Sequence, residues 1–144
     1  MKETIKTFEE LSTAELYEIY RLRTAVFVVE QQCAYQEVDE ADKRALHIWL
    51  SEEGEMRAYC RVFPLAPGEA RVGRVIAVRR RQGLGSRVVG LAIKAAAEIL
   101  RAEKISVEAQ SYAVPMYAKL GFEAVSDEFY EDGIPHVRME RPAT

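Results

Sequence analysis

The stretch from Arg71 to Arg101, RVGRVIAVRRRQGLGSRVVGLAIKAAAEILR, limits what this chain can fold into more than any other. Val72-Gly73-Arg74-Val75-Ile76-Ala77-Val78 is short and β-branched, as a buried strand should be. Leu84, Val88, Leu91, Ala95 and Ile99 then recur at three-to-four spacing, which predicts one face of a helix. Between them, Arg79 to Ser86 places two glycines where the strand must become a helix.

That junction suits an anion. The first N–H groups of a helix lack partners inside it, and the helix dipole puts partial positive charge there. Glycines let the backbone approach a ligand closely, so bare amides can surround a phosphate. Residues 71 to 97 hold six Arg, one Lys and no acid, +7 in a chain of net −3, so the remainder carries −10. A positive island in an acidic chain suggests a localised anionic ligand, although an ordinary crossover with a solvated arginine face has the same composition. No Gly-x-x-x-x-Gly-Lys-Ser/Thr run is present, which argues against a P-loop. A dinucleotide fingerprint fails at its third position, where Val88 is too bulky for close helix packing. The run Arg80-Arg81-Gln82-Gly83-Leu84-Gly85 follows the pattern Arg-x-x-Gly-x-Gly. This resembles the acetyl-coenzyme A pyrophosphate loop of the GCN5-related N-acetyltransferase (GNAT) family.

At 144 residues the chain fits a single domain, 1–144. No apolar run approaches the ~20 residues needed to cross a bilayer, and MKETIKTFEE has no apolar core of a secretory signal. A cytoplasmic protein without membrane partners is expected. Cys33 and Cys60 suit reduced thiols, and with His residues only at 47 and 136 no metal site is expected.

Taken in order, Thr4 to Phe8 reads as a first strand. Ser12-Thr13-Ala14-Glu15 is a capping-box pattern, and the helix it opens carries Leu16, Ile19, Tyr20, Arg23, Val26 and Phe27 on one face. Arg23 is the odd member; snorkelling at the helix edge accounts for it better than a place in a cleft. Glu37, Asp39, Glu40 and Asp42 lie in a polar segment that reads as a solvated loop. Such a loop would also attract a cationic amine, and Glu37 and Asp39 are bases by residue type. Leu46–Leu50 and Met56–Leu65 read as strands around a hairpin loop at Ser51–Glu55, with Pro67-Gly68 as the next turn. Ile105–Ala109 is a strand that should run parallel to Val72–Val78 through the crossover. Pro115 and Gly121 bound a short helix. Phe122–Val125 and His136–Arg141 are expected to form a closing hairpin, with Asp132-Gly133 supplying turn chemistry.

This order is similar to the GNAT fold over nearly the whole chain. Leu22-Arg23-Thr24-Ala25-Val26-Phe27-Val28-Val29-Glu30-Gln31, Gly73-Arg74-Val75 and Glu131-Asp132-Gly133-Ile134-Pro135-His136 resemble its ElaA-type branch. In many relatives a longer segment separates the fourth strand from the loop arginine; here Ile76 to Arg79 alone separate Val75 from Arg80. The resemblance implies an α/β (α+β) fold. A central mixed, mostly antiparallel sheet of about six to seven strands would be flanked by helices, with strands 4 and 5 parallel and splayed. It further implies direct transfer of acetyl from acetyl-CoA, a cosubstrate, to an amine acceptor. Amides of Gln82, Gly83, Leu84, Gly85 and Ser86, with the charges of Arg80 and Arg81, would hold the pyrophosphate. Main-chain groups of Ile76, Ala77 and Val78 would line the pantetheine, Ile76 and Val78 pairing with it. Tyr117 stands where many relatives protonate the leaving thiolate.

The base stays open among His47, His136 and Glu108, each also readable as a packing or solvated residue. A non-catalytic CoA- or acyl-CoA-binding module of the same fold is the alternative function. Nucleic-acid binding is disfavoured by the net charge and by the lack of aromatic residues in 71–97. Exposed sheet edges are compatible with a homodimer.

Overall fold

The computed structural model describes residues 1–78 and 82–144. Strands β1 (Lys2–Thr7), β2 (Leu46–Glu52), β3 (Glu55–Ala66), β4 (Glu69–Ala77), β5 (Lys104–Gln110), β6 (Glu123–Ala124), β7 (Phe129–Glu131) and β8 (Ile134–Pro142) form one sheet. The order is β1-β2-β3-β4-β5-β8-β6, and β7 pairs with β8 beside β6. All pairings are antiparallel except β4 with β5. Among the described residues the sheet thus has eight strands, where about six to seven were expected. The expected pairing of Phe122–Val125 with the last strand survives only as the two-residue β6. Asp132 and Gly133, at φ 51° and 77°, instead close the tight turn between β7 and β8. Two successive left-handed residues match the twist of adjacent antiparallel strands, so the turn joins the nearest segment, not the distant one.

Alternation sorts the sheet into two faces. Leu46, Ile48 and Leu50, Ala58, Cys60 and Val62, Ala70 and Val72, and Ile105, Val107 and Ala109 point to one side. There they meet Leu84, Val88, Val89, Ala92, Ala95 and Ala96 of helix α2 (Leu84–Glu98). Leu91 is only partly buried, at the edge of that stripe, and Ile99 is exposed just past the end of α2 at Glu98. Truncating a buried Ile or Leu here should cost about 2–5 kcal/mol. The short helix α3 (Val114–Lys119), with Pro115 in its first turn, closes the same side.

Trp49, Tyr59 and Ile76 point to the opposite face, against Ile19 of helix α1 (Thr13–Arg23) and Phe27 of the π-helical segment Thr24–Glu30. The Ser12–Glu15 capping box is formed in both directions. Ile19, Arg23 and Phe27 are the buried members of the expected stripe, four residues apart.

Two irregularities in β4 shape the centre of the molecule. Between Arg61↔Gly73 and Tyr59↔Ile76, β3 advances two residues while β4 advances three. The result is a bulge, with Arg74 at φ 54°. On its other edge β4 pairs with β5 only from Glu69↔Lys104 to Val72↔Val107. Both strands continue past that point without pairing, which is the expected splay.

Candidate active site

At the mouth of the splay the end of β4, the start of α2 and the helix α3 converge. Gly83 is the N-cap of α2, left-handed at φ 71°, and has no side chain with which to cap the helix. A Cβ at Gly83 would meet nothing within 4 Å, so the space before the first helical amides is open. A Cβ at Gly85 would lie 3.4 Å from Met116 Sδ and 3.9 Å from Ala77 Cβ, so glycine keeps this junction narrow. Leu84 is buried in the core and anchors the turn, while Gln82 and Gly83 are exposed and Ser86 is half-buried. Uncapped amides, dipole and open approach together fit a diphosphate. Arg80 and Arg81 lie outside the described residues.

The main-chain pattern differs from the expectation at Val78. Its N–H donates to Arg57 O at 2.9 Å, so that donor belongs to β3. Antiparallel alternation then gives Ile76 the same direction and turns the N–H and C=O of Ala77 toward the gap. Ala77 therefore offers the main-chain groups that were expected of Ile76 and Val78.

Tyr117 is almost fully buried, edge-on to Phe122 with ring centroids 5.6 Å apart. Burial pushes its hydroxyl well above the ordinary tyrosine range, and Cys60 and Tyr112 add to the effect. The phenol therefore stays protonated at neutral pH.

The acidic segment 37–42 is not a solvated loop. Arg23, fully buried, donates Nε to Glu37 at 2.8 Å and its two terminal nitrogens to Asp42 at 2.7 and 3.1 Å. Arg61 bridges Asp39 at 2.6 Å and Asp42 at 2.9 Å. Arg74, from the β4 bulge, pairs with Glu37 at 2.6 Å and donates to the Glu37 carbonyl at 2.8 Å. Three arginines thus meet three carboxylates. Burial alone would raise the pKa of Asp42, but hydrogen bonds and charge from Arg23 and Arg61 overcome it and hold the carboxyl below its usual range. Arg23 is a core residue and not a snorkelling one, because its charge is matched on every side.

His47 belongs to this knot. It is fully buried, with Nδ1 2.7 Å from Tyr59 Oη and Nε2 2.9 Å from the Asp42 carbonyl. The carbonyl can only accept, so Nε2 carries the proton and Nδ1 accepts from the phenol. Burial pushes its pKa down. Neither nitrogen is free to receive a proton from a substrate.

The other two candidate bases come together near the apex of the splay. Glu108 is the first β5 residue beyond the last β4 partner, on the face away from α2. Arg71 binds its carboxylate at 2.7 Å. Glu131 of β7, which has no local sequence signal, hydrogen-bonds to Glu108. Burial works to raise the Glu108 pKa, but that hydrogen bond and the Arg71 charge prevail and hold it low. The same hydrogen bond, then burial and the Glu108 charge, push Glu131 up to about 7. His136 stacks on Phe129 with centroids 5.9 Å apart and donates Nδ1–H to the Ile134 carbonyl at 2.7 Å, leaving Nε2 available.

Comparison with known proteins agrees with this architecture. Residues 8–142 match the family model described as Acetyltransferase (GNAT) domain. The chain therefore belongs to the GNAT family. Within it, the chain is 33% identical over 142 residues to the protein ElaA of Escherichia coli, covering 92% of this chain and 90% of that one. The crystal structure of E. coli ElaA superposes with a TM-score of 0.91 over 98% of this chain and 99% of its own. An acyl-CoA N-acyltransferase from Pseudomonas aeruginosa is 35% identical, with a TM-score of 0.90 over 98% of this chain and 99% of its own. A UPF0039 protein of Schizosaccharomyces pombe is 43% identical over 138 residues, 93% of this chain and 92% of that one. No helix among the described residues is long and apolar enough to cross a membrane.

Proposed function

We propose that residues 1–144 form one N-acetyltransferase domain that moves acetyl directly from acetyl-CoA to a primary amine. One observation carries the reading: a glycine-started helix opens beside a splayed strand whose Ala77 lies beyond the last residue paired with β5. Family membership supports an acyl-CoA thioester as donor, and the family model's description favours acetyl.

In this reading the amides of Gly83, Leu84, Gly85 and Ser86 hold the diphosphate, and Ala77 orients the pantetheine. An N–H in the β4 bulge polarises the thioester carbonyl. Tyr117, held protonated, donates a hydrogen bond to the leaving sulfur; its raised pKa disfavours full proton transfer. The amine approaches from the Glu108 face, opposite α2.

The test is release of the CoA thiol from acetyl-CoA in the presence of a panel of amines. Turnover with at least one cationic amine is expected. Tight binding of acetyl-CoA with no turnover across the panel would favour a non-catalytic acyl-CoA-binding module instead. Tyr117→Phe should lower kcat about tenfold or more and leave acetyl-CoA affinity within about twofold. An unchanged kcat would remove Tyr117 from the mechanism.

A further inference from the structure

We propose that Glu131, hydrogen-bonded to Glu108 at the apex of the splay, takes the proton from a cationic amine acceptor. The pair further selects amines that carry no carboxylate beside the nitrogen. This rests on the N-acetyltransferase reading and adds to it a proton acceptor and a substrate class.

Charge distinguishes the two groups of acids. In the Arg23–Arg61–Arg74 knot every carboxylate has an arginine partner. Among the described residues, Arg71 pairs with Glu108 directly, and Glu131 gains the more distant influence of Arg74. Glu131 therefore faces Glu108 from β5, Arg74 from β4 and Asp132 from its own turn, while Arg71 from β4 and His136 from β8 act on Glu108. Its accessibility is the second point. Glu131 is exposed, whereas Glu37, Asp42 and His47 are buried, and both carboxylate oxygens of Asp42 and both ring nitrogens of His47 are already hydrogen-bonded. The backbone beside the pair supplies the third. β4 and β5 separate immediately before Glu108, and the β4 bulge lies across the gap, so polar main-chain groups and a proton acceptor meet at one place.

The two carboxyls hold one proton between them near neutral pH, Glu131 donating to ionised Glu108. When that proton leaves, the site bears two carboxylates against Arg71 and attracts an ammonium group. Glu131 then removes one proton from R–NH3+, giving R–NH2 and the neutral carboxylic acid. The amine lone pair forms the N–C bond to the thioester carbonyl, and the C–S bond breaks. The second nitrogen proton is lost as the amide forms, and the thiolate takes up one proton. Glu131 returns its proton to solvent. A carboxylate next to the amine would face this negative pair and be repelled.

The experiment combines titration with kinetics. Carbon-13 NMR of the glutamate carboxyls should show Glu131 titrating near pH 7 and falling into the ordinary carboxylate range in Glu108→Gln. Tyramine and agmatine should be acetylated at least tenfold faster than tyrosine and arginine at equal concentration. The acid limb of kcat/KM should lie near pH 7. Glu131→Gln should lose that limb and lower kcat/KM about thirtyfold or more, with acetyl-CoA affinity unchanged and partial recovery in Glu131→Asp. Ordinary titration of Glu131 in the wild type, equal rates for amines and their carboxylated counterparts, or an intact limb in Glu131→Gln would each overturn the proposal while wild-type transfer continues. Loss of the limb in His136→Gln but not in Glu131→Gln would overturn it in favour of His136. Absence of transfer to every amine by the wild type would defeat the enzymatic reading itself.

Discussion

Two groups of carboxylates lie on the same face of the sheet and have opposite characters. Glu37, Asp39 and Asp42 are matched one for one by Arg23, Arg61 and Arg74, and two of the three acids are buried. Among the described residues Glu108 has one close arginine, Arg71, and its partner Glu131 remains exposed. Paired charge in low dielectric holds a loop to the sheet; its desolvation is tolerable only because each partner is present. Under-compensated charge keeps a proton in play near neutral pH. The first group is therefore structural and the second is suited to chemistry.

The comparison can be broken most forcefully at Arg23. Arg23→Ala leaves two acids buried with one cation fewer and should destabilise the fold by about 3–5 kcal/mol, read from urea unfolding. A loss below about 1 kcal/mol would mean that the knot is solvated after all. Gly83→Val tests the other side of the sheet. Its left-handed φ of 71° disfavours a β-branched residue by roughly 1–2 kcal/mol, so acetyl-CoA binding should weaken at least about tenfold by calorimetry while the Arg23 knot stays intact.

Acid sharpens the contrast within the knot. His47 is buried neutral with its pKa lowered, and Asp39 and Asp42 also titrate below their usual values. A group with a depressed folded pKa takes up protons more readily when unfolded, so its contribution is lost as pH falls. Melting temperature should therefore decline first through the ordinary histidine range near 6.5 and again below the carboxylate range. His47→Gln should abolish the first step only. The smallest effect is expected at Arg87, whose 3.1 Å pair with Glu3 has both side chains 45% exposed. Arg87→Ala should alter stability by less than about 0.5 kcal/mol, which sets the background for the buried arginines.

What could be read from sequence follows the range over which each feature is determined. The strand ending at Ala77 and the helix opening at Leu84 were legible because β-branching, glycine placement and helical spacing are local signals. The capping box at Ser12–Glu15 was legible for the same reason. Arg23 was misassigned because its partners are Glu37 and Asp42, 14 and 19 residues away; no local pattern shows that a charge will be matched after folding. His47 looked like a free base for the same reason, since Tyr59 and the Asp42 carbonyl occupy it only once β2 and β3 pair. Val78 reads in sequence as a ligand partner, but alternation continued from β4 directs its N–H to Arg57 of β3. Glu131 was missed entirely. Its run to His136 carried a visible turn, but its contact with Glu108 depends on β7 and β5 both lying against β8.

The most direct test of the whole account is an amide NMR titration of the nitrogen-15-labelled protein with acetyl-CoA. The account predicts the largest shifts at Ala77, Gly83, Gly85 and Ser86, with the amides from Glu37 to Asp42 nearly still. Saturable binding with those four amides unmoved, or with the largest shifts in the Glu37–Asp42 segment, would contradict it.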